Sequence, residues 1–131
     1  MNPLLLLAAG SLVGTAPVSI AAMKWQRRIV LISAPSTQDP ALAQQREIFA
    51  RWRTEAKDRD LSVVEVIGDQ VRGSTDSGSA LRRKYRLPAD GFTAILIGKD
   101  GSEKLRSRKP LLGTQLQTVI DAMPMRQSGE R

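Results

Sequence analysis

Ser36, Thr37 and Asp39 stand between an apolar run that stops at Ser33-Ala34-Pro35 and a helix that Asp39-Pro40 opens. Two hydroxyls and a carboxylate at a strand-to-helix junction allow two kinds of work. The hydroxyls, together with free helix amides, suit a bound carboxylate, phosphate or sulfate. Alternatively, Asp39 takes those amides itself and the junction is a helix cap. Asp39 is the point of conflict, because it competes for the amides and adds negative charge. On these residues alone both readings stand.

The chemistry available elsewhere is narrow. The 131 residues contain no cysteine and no histidine. Disulfides, thiol nucleophiles, Cys/His zinc sites and imidazole acid–base catalysis are therefore excluded. Thirteen carboxylates leave an all-oxygen metal site open in principle. No D-x-D-x-D-G loop or close carboxylate pair points to one, so neither metal nor cofactor is expected. Twenty basic against thirteen acidic side chains give a net charge of +7. That balance favours an acidic protein, an acidic polymer, a membrane surface or nucleic acid, or else serves solubility alone. The basic stretch "LRRKYR", Leu81 to Arg86, is the strongest local pointer to nucleic acid, but as a helix segment it reads equally as a solvated face.

Residues 1–22 form a separate segment without an ionisable side chain, its densest apolar run being Leu4 to Leu7. The small residues around Ser19 to Ala22 suit the cleavage region of an export signal, which places the protein in the periplasm or otherwise outside the cytoplasm. The n-region lacks Lys and Arg, and Gly10, Gly14 and Pro17 disfavour a spanning helix. An uncleaved anchor and a cytoplasmic protein starting at Met23 are the alternatives. The remaining residues, 23–131, read as one domain.

Elements that must position the junction follow from pattern. "RIVLIS", Arg28 to Ser33, suits a strand buried on both faces. Asp39 and Pro40 cap and open a helix running to about Asp58, its stripe formed by Leu42, Phe49, Trp52 and Ala56 and interrupted by Gln45; Arg46, Arg51, Arg53 and Lys57 face water. "LSVVEVI", Leu61 to Ile67, is the second strand, and Gly68 to Ser79 reads as loop. A short helix around Ala80 to Arg86, capped by Ser77 or Ser79, leads to a third strand, Thr93 to Gly98. Lys99 to Ser102 makes a hairpin turn into a charged edge strand bearing Lys104, Arg106 and Arg108. Leu112, Leu116, Val119, Ile120 and Met123 mark a last helix, with Thr114 near its cap and Pro124 ending it. The fold class is α/β, in the order β-α-β-α-β-β-α.

That order is the thioredoxin-like one, and particular segments resemble a known family. "RRIVLISAPSTQDPALAQQR", "YRLPADGFTAILIGKDGSEKLRS" and "IDAMPMR" are similar to the bacterial DUF4174 family, whose module in animal matrix proteins has been called the DUDES domain. The resemblance covers Arg27 to Arg126, and A-P-S…D-P and G-K-D-G…K-L-R are its most specific parts. It implies a thioredoxin-like, peroxiredoxin-related fold with a four-stranded mixed sheet in the order 4-3-1-2, flanked by helices. Against redox thioredoxins, "QDPA" falls where C-G-P-C lies, so Gln38 and Ala41 replace both thiols. Against peroxiredoxins, Pro35 aligns with the motif proline, and Leu42 replaces the cysteine. Phe92-Thr93 stands where redox thioredoxins place a cis-proline and threonine. Thiol exchange requires a thiolate, so a dithiol oxidoreductase or cysteine peroxidase working alone is excluded.

The implied strand order brings Ser36, Thr37 and Asp39, the loop from Arg72 to Ser77, Phe92, Thr93, Arg106 and Arg108 to one sheet edge, where ligands of open α/β sheets bind. The leading expectation is a non-redox binding or interaction module that favours anionic partners. One alternative is an enzyme that borrows a glutathione or peptide thiol, with Ser36 and Thr37 stabilising the thiolate. The other is a nucleic-acid-binding protein.

Overall fold

The structure is a computed structural model that describes residues 16–130. The Leu4 to Leu7 run lies outside the described residues. A 3₁₀ turn, Ala21–Met23, precedes β1 (Arg28–Ala34), α1 (Pro40–Arg51), α2 (Arg53–Asp58), β2 (Leu61–Ile67) and β3 (Gln70–Arg72). Then come α3 (Gly78–Tyr85), β4 (Thr93–Ile97), β5 (Glu103–Ser107), α4 (Gly113–Asp121) and α5 (Pro124–Gln127).

The strands form one mixed sheet in the order β3-β2-β1-β4-β5. This corrects the expected four strands in the order 4-3-1-2, because β3 adds a fifth beyond β2. Gln70 to Arg72 reads as loop in the sequence, since three residues with one apolar side chain are too few to show a period of two. The turn Gly68–Asp69 folds β3 back so that Ile67 faces Gln70, and Gly68 supplies the positive φ of 58°. β1 and β2 are parallel from Arg28↔Leu61 to Ala34↔Ile67, with α1 and α2 in the crossover. β1 and β4 are antiparallel from Ile29↔Ile97 to Ser33↔Thr93, and β5 is the charged edge expected of it.

The alternation of side chains along β1 explains its unbroken burial. Val30, Ile32 and Ala34 join Leu42 of α1 and Leu116 and Ile120 of α4 on one face. Ile29 and Leu31 join Ile20, Met23, Leu81 and Tyr85 on the other. Thus α1 and α4 cover one side of the sheet, and the N-terminal turn and α3 cover the opposite side.

Several helix expectations need correction. The first helix is broken at Trp52, whose φ of −107° and ψ of 19° leave the helical region, so α1 and α2 are separate. Gln45, the polar interruption of the stripe, is fully buried. Its Nε2 donates to the Leu111 carbonyl at 2.9 Å, and its Oε1 accepts the Leu111 amide at 2.7 Å. Arg46 does not face water alone: it makes a two-pronged pair with buried Glu65, at 2.9 and 2.8 Å. Leu112 is the N-cap of α4 and 53% exposed, while Leu111 fills the core position instead. Pro124 opens α5, the position before the first helical N–H is needed.

Candidate functional site

The register places the C-terminal ends of β1 and β2, the start of β4 and the end of β5 at one edge, with Ser33 beside both Val66 and Thr93 and Ala94 beside Ser107. At the strand-to-helix junction the backbone donors are partly taken. Asp39, in extended conformation, accepts the Ala41 amide at 2.8 Å, as an N-cap carboxylate does. Ser36 Oγ accepts the Gln38 amide at 3.2 Å. Thr37 is exposed and, with Ile67, Gln70 and Arg72, lines an open hollow of about 310 Å³. Strand β3, unforeseen in the sequence, is what carries Arg72 to this place.

The other expected members of the edge lie apart from that hollow. Phe92 and Thr93 are buried, Phe92 in the same apolar cluster as Leu42 and Thr93 in the ladder opposite Ser33. Arg106 grips Glu103 through Nε and Nη2, both at 3.0 Å, and donates to the carbonyls of Tyr85 and Arg86. Its neighbours Lys84, Tyr85, Arg86 and Glu103 share with it a second hollow of about 420 Å³, between α3 and β5. The hydrogen bonds to Glu103 push the Arg106 guanidinium further up from its already high range. Arg108 is exposed just beyond β5. Residues Ser74 to Asp76 turn back along β2 and hold the N-terminal segment: Thr75 N–H donates to the Val18 carbonyl at 3.3 Å, and Ile20 N–H to Asp76 at 2.8 Å.

Arg82, read from sequence only as part of a basic helix face, is a missed member of this edge. Its Nη1 donates to Ser33 Oγ at 2.9 Å and to the Pro88 carbonyl at 3.1 Å, and its Nη2 donates to the Gly68 carbonyl. One guanidinium therefore ties the ends of β1 and β2 to the loop before β4. The one available signal was Ser33, a hydroxyl inside an otherwise apolar strand. Tyr85 of the same helix packs in the second apolar cluster. Among the described residues no group of three or more acidic side chains could hold a metal ion, and no helix is long and apolar enough to cross a membrane.

The opposite edge of the sheet carries the G-K-D-G…K-L-R turn and the I-D-A-M-P-M-R segment, but sequence led to no expectation of a site there. Arg28, at the start of β1, is 1% exposed; its Nη1 donates to the Arg59 carbonyl at 2.8 Å and its Nε to Met123 Sδ at 3.3 Å. Burial, reinforced by the nearby Arg126 charge, pushes this guanidinium down from its usual range. Buried Lys99 pairs with Asp60 at 2.9 Å. Arg59 holds Asp121 in a two-pronged pair, at 3.0 Å on each oxygen, and Arg126 adds a contact at 3.1 Å. Those donors keep the Asp121 carboxyl below the ordinary carboxylate range. In the adjoining turn, the Ser102 amide and hydroxyl with Lys104 hold Asp100 down to about 2.

The model described as "Domain of unknown function (DUF4174)" matches residues 19–129, and by that match over most of its length the chain belongs to this family.

Proposed function

We propose that this protein is a non-redox, thioredoxin-like binding module that acts outside the cytoplasm and takes an anionic partner at the edge bearing Thr37 and Arg72. The parallel β1–β2 pair, flanked by the antiparallel β4–β5 hairpin with helices on both faces, supports the thioredoxin-like reading. The absence of every cysteine leaves that scaffold without a thiolate. A single observation carries the site: Thr37 and Arg72 open on one hollow of about 310 Å³ beside the β1–α1 junction. Asp39 satisfies the start of α1, so an incoming anion would rely on the hydroxyl and the guanidinium instead of helix amides. The net charge of +7 adds long-range attraction for acidic proteins, polymers or membrane surfaces.

The test is chromatography on sulfated, carboxylated and neutral matrices across a salt series, with wild type and a Thr37→Ala/Arg72→Ala double variant. Wild type is expected to be retained only on the anionic matrices, to elute earlier as salt rises, and to elute later than the variant. Retention that ignores matrix charge and salt would overturn the electrostatic reading. Coincident elution of variant and wild type would overturn this placement of the site.

A further inference from the structure

At the opposite edge of the sheet, Trp25, Arg28, Lys99, Asp100, Lys104, Met123, Pro124 and Met125 surround a hollow of about 200 Å³. Three features set it apart from ordinary surface relief. Trp25 is 58% exposed and has a φ of 69°, a left-handed conformation that bulky residues rarely adopt. Its backbone is held there by a 2.6 Å bond from its amide to the Lys99 carbonyl. Strained residues of this kind concentrate at ligand clamps. Next, the walls contributed by Trp25, Met123, Pro124 and Met125 are apolar, and methionine adapts its shape to a guest. Last, the lining carries two buried cations, Arg28 and Lys99, with Lys99 paired to Asp60 at 2.9 Å, while the third cation, Lys104, is paired to Asp100 at 3.1 Å. One Arg28 donor is directed at a thioether, which is a weak acceptor.

We infer that this hollow binds a small organic acid, a carboxylate carried on one aromatic ring or a short aliphatic chain. The apolar walls would take the ring or chain, the buried Arg28 guanidinium would face the carboxylate, and Lys99, held by Asp60, would add its charge from the lining. Exchange of the Met123 sulfur for a carboxylate oxygen gives Arg28 Nε a charge-assisted bond, the stronger kind. Size agrees with that class, because an apolar protein cavity of about 150 Å³ is enough for benzene. A bare inorganic anion would leave the apolar walls unused. The site lies beyond the proposed Thr37–Arg72 edge and does not depend on it.

The experiment titrates the full chain with phenylacetate and with hexanoate, following the indole N–H of Trp25 and the methyl groups of Met123 and Met125 by NMR. Phenylacetamide and inorganic phosphate serve as the neutral and the purely anionic comparison. Saturable shifts confined to these groups are expected, with phenylacetamide and phosphate weaker by about tenfold or more, the worth of one hydrogen bond to a charged group. Lys99→Met should weaken phenylacetate by a similar factor. Trp25→Gly relieves the left-handed backbone, keeps the fold, and removes one wall; weaker binding read from the methionine methyls is expected. Thr37→Ala/Arg72→Ala should bind phenylacetate as wild type does. Absence of saturation by both acids, equal binding of the amide, or unaltered binding by a folded Trp25→Gly variant would each overturn the inference.

Discussion

Gln45 shows how a single amide can decide a local structure. A polar residue inside a helical apolar stripe reads from sequence as an interruption, yet here it carries both hydrogen bonds that a buried peptide group needs. Leu111 is fully buried and its N–H and C=O both end on the Gln45 side chain. Gln45→Leu keeps the volume but strands a buried donor and a buried acceptor. It is expected to cost about 2–6 kcal/mol, since each of the two unmet groups costs about 1–3 kcal/mol. The urea midpoint measures this loss; a change below about 0.5 kcal/mol, the size of an ordinary surface substitution, would show that water serves those groups instead. Arg46 and Arg82 carry the same lesson. Sequence places both on charged helix faces, whereas Glu65 and the Ser33–Gly68–Pro88 carbonyls and hydroxyl claim them. A charge pattern states only which side chains are ionic, and the partner is set by elements far away in the chain.

Among the elements, β1, β2, β4 and the short helix α3 were legible, whereas the three-residue β3 and the break between α1 and α2 at Trp52 were not. β1, β2 and β4 are apolar runs bounded by turn residues, and their parallel and antiparallel pairing follows from the helix between the first two and from the intervening chain. The Lys99 to Ser102 turn was legible too, since Gly101 adopts a φ of 85° and Asp100 accepts the Ser102 amide at 3.0 Å. β3 was not, because its existence depends on register against β2 and on Gly73 behind it. Gly73 has a φ of 92°, and a Cβ there would lie 2.5 Å from the Val63 carbonyl oxygen. Gly73→Ala is therefore expected to destabilise by about 2–3 kcal/mol through backbone strain and clash. Hydrogen exchange should locate the damage: faster exchange at Ile20 and Thr75, whose amides join the N-terminal segment to the following loop, with the β1 and β4 amides less affected. Uniform loss of protection would instead make β3 part of the global folding unit. Since β3 also delivers Arg72 to the Thr37 hollow, this correction to the sheet is the one that reshapes the candidate site.

At the scale of the whole molecule, the two ends of the sheet differ in kind. One end has Thr37, Arg72 and Arg82 around open chain ends; the other has a dense ionic cluster beside an apolar hollow. The N-terminal segment belongs to the body as well, because Ile20 is 6% exposed in the second apolar cluster and its amide bonds Asp76. Loss of that side chain from the core would cost about 1.5–3 kcal/mol. If an export signal is removed, the cut is expected upstream of Ser19 and not after residue 22; the mass of the mature protein recovered from outside the cytoplasm measures it. A mature chain that starts at Met23 and keeps full stability would overturn that expectation. Composition alone determined that this chain has no thiol and no imidazole, and hydrophobic patterning with the Asp39-Pro40 start signal determined an α/β chain with a helix opening after β1. Both are properties of residue type and local spacing, which need no knowledge of neighbours. Tertiary structure decided which charges are buried or paired, added β3, separated Phe92, Thr93 and Arg106 from Thr37 and Arg72, and brought Trp25 beside Met123 and Arg28. Those outcomes depend on contacts between segments distant in the chain, where packing space and the desolvation of each charge select among partners that the sequence lists without order.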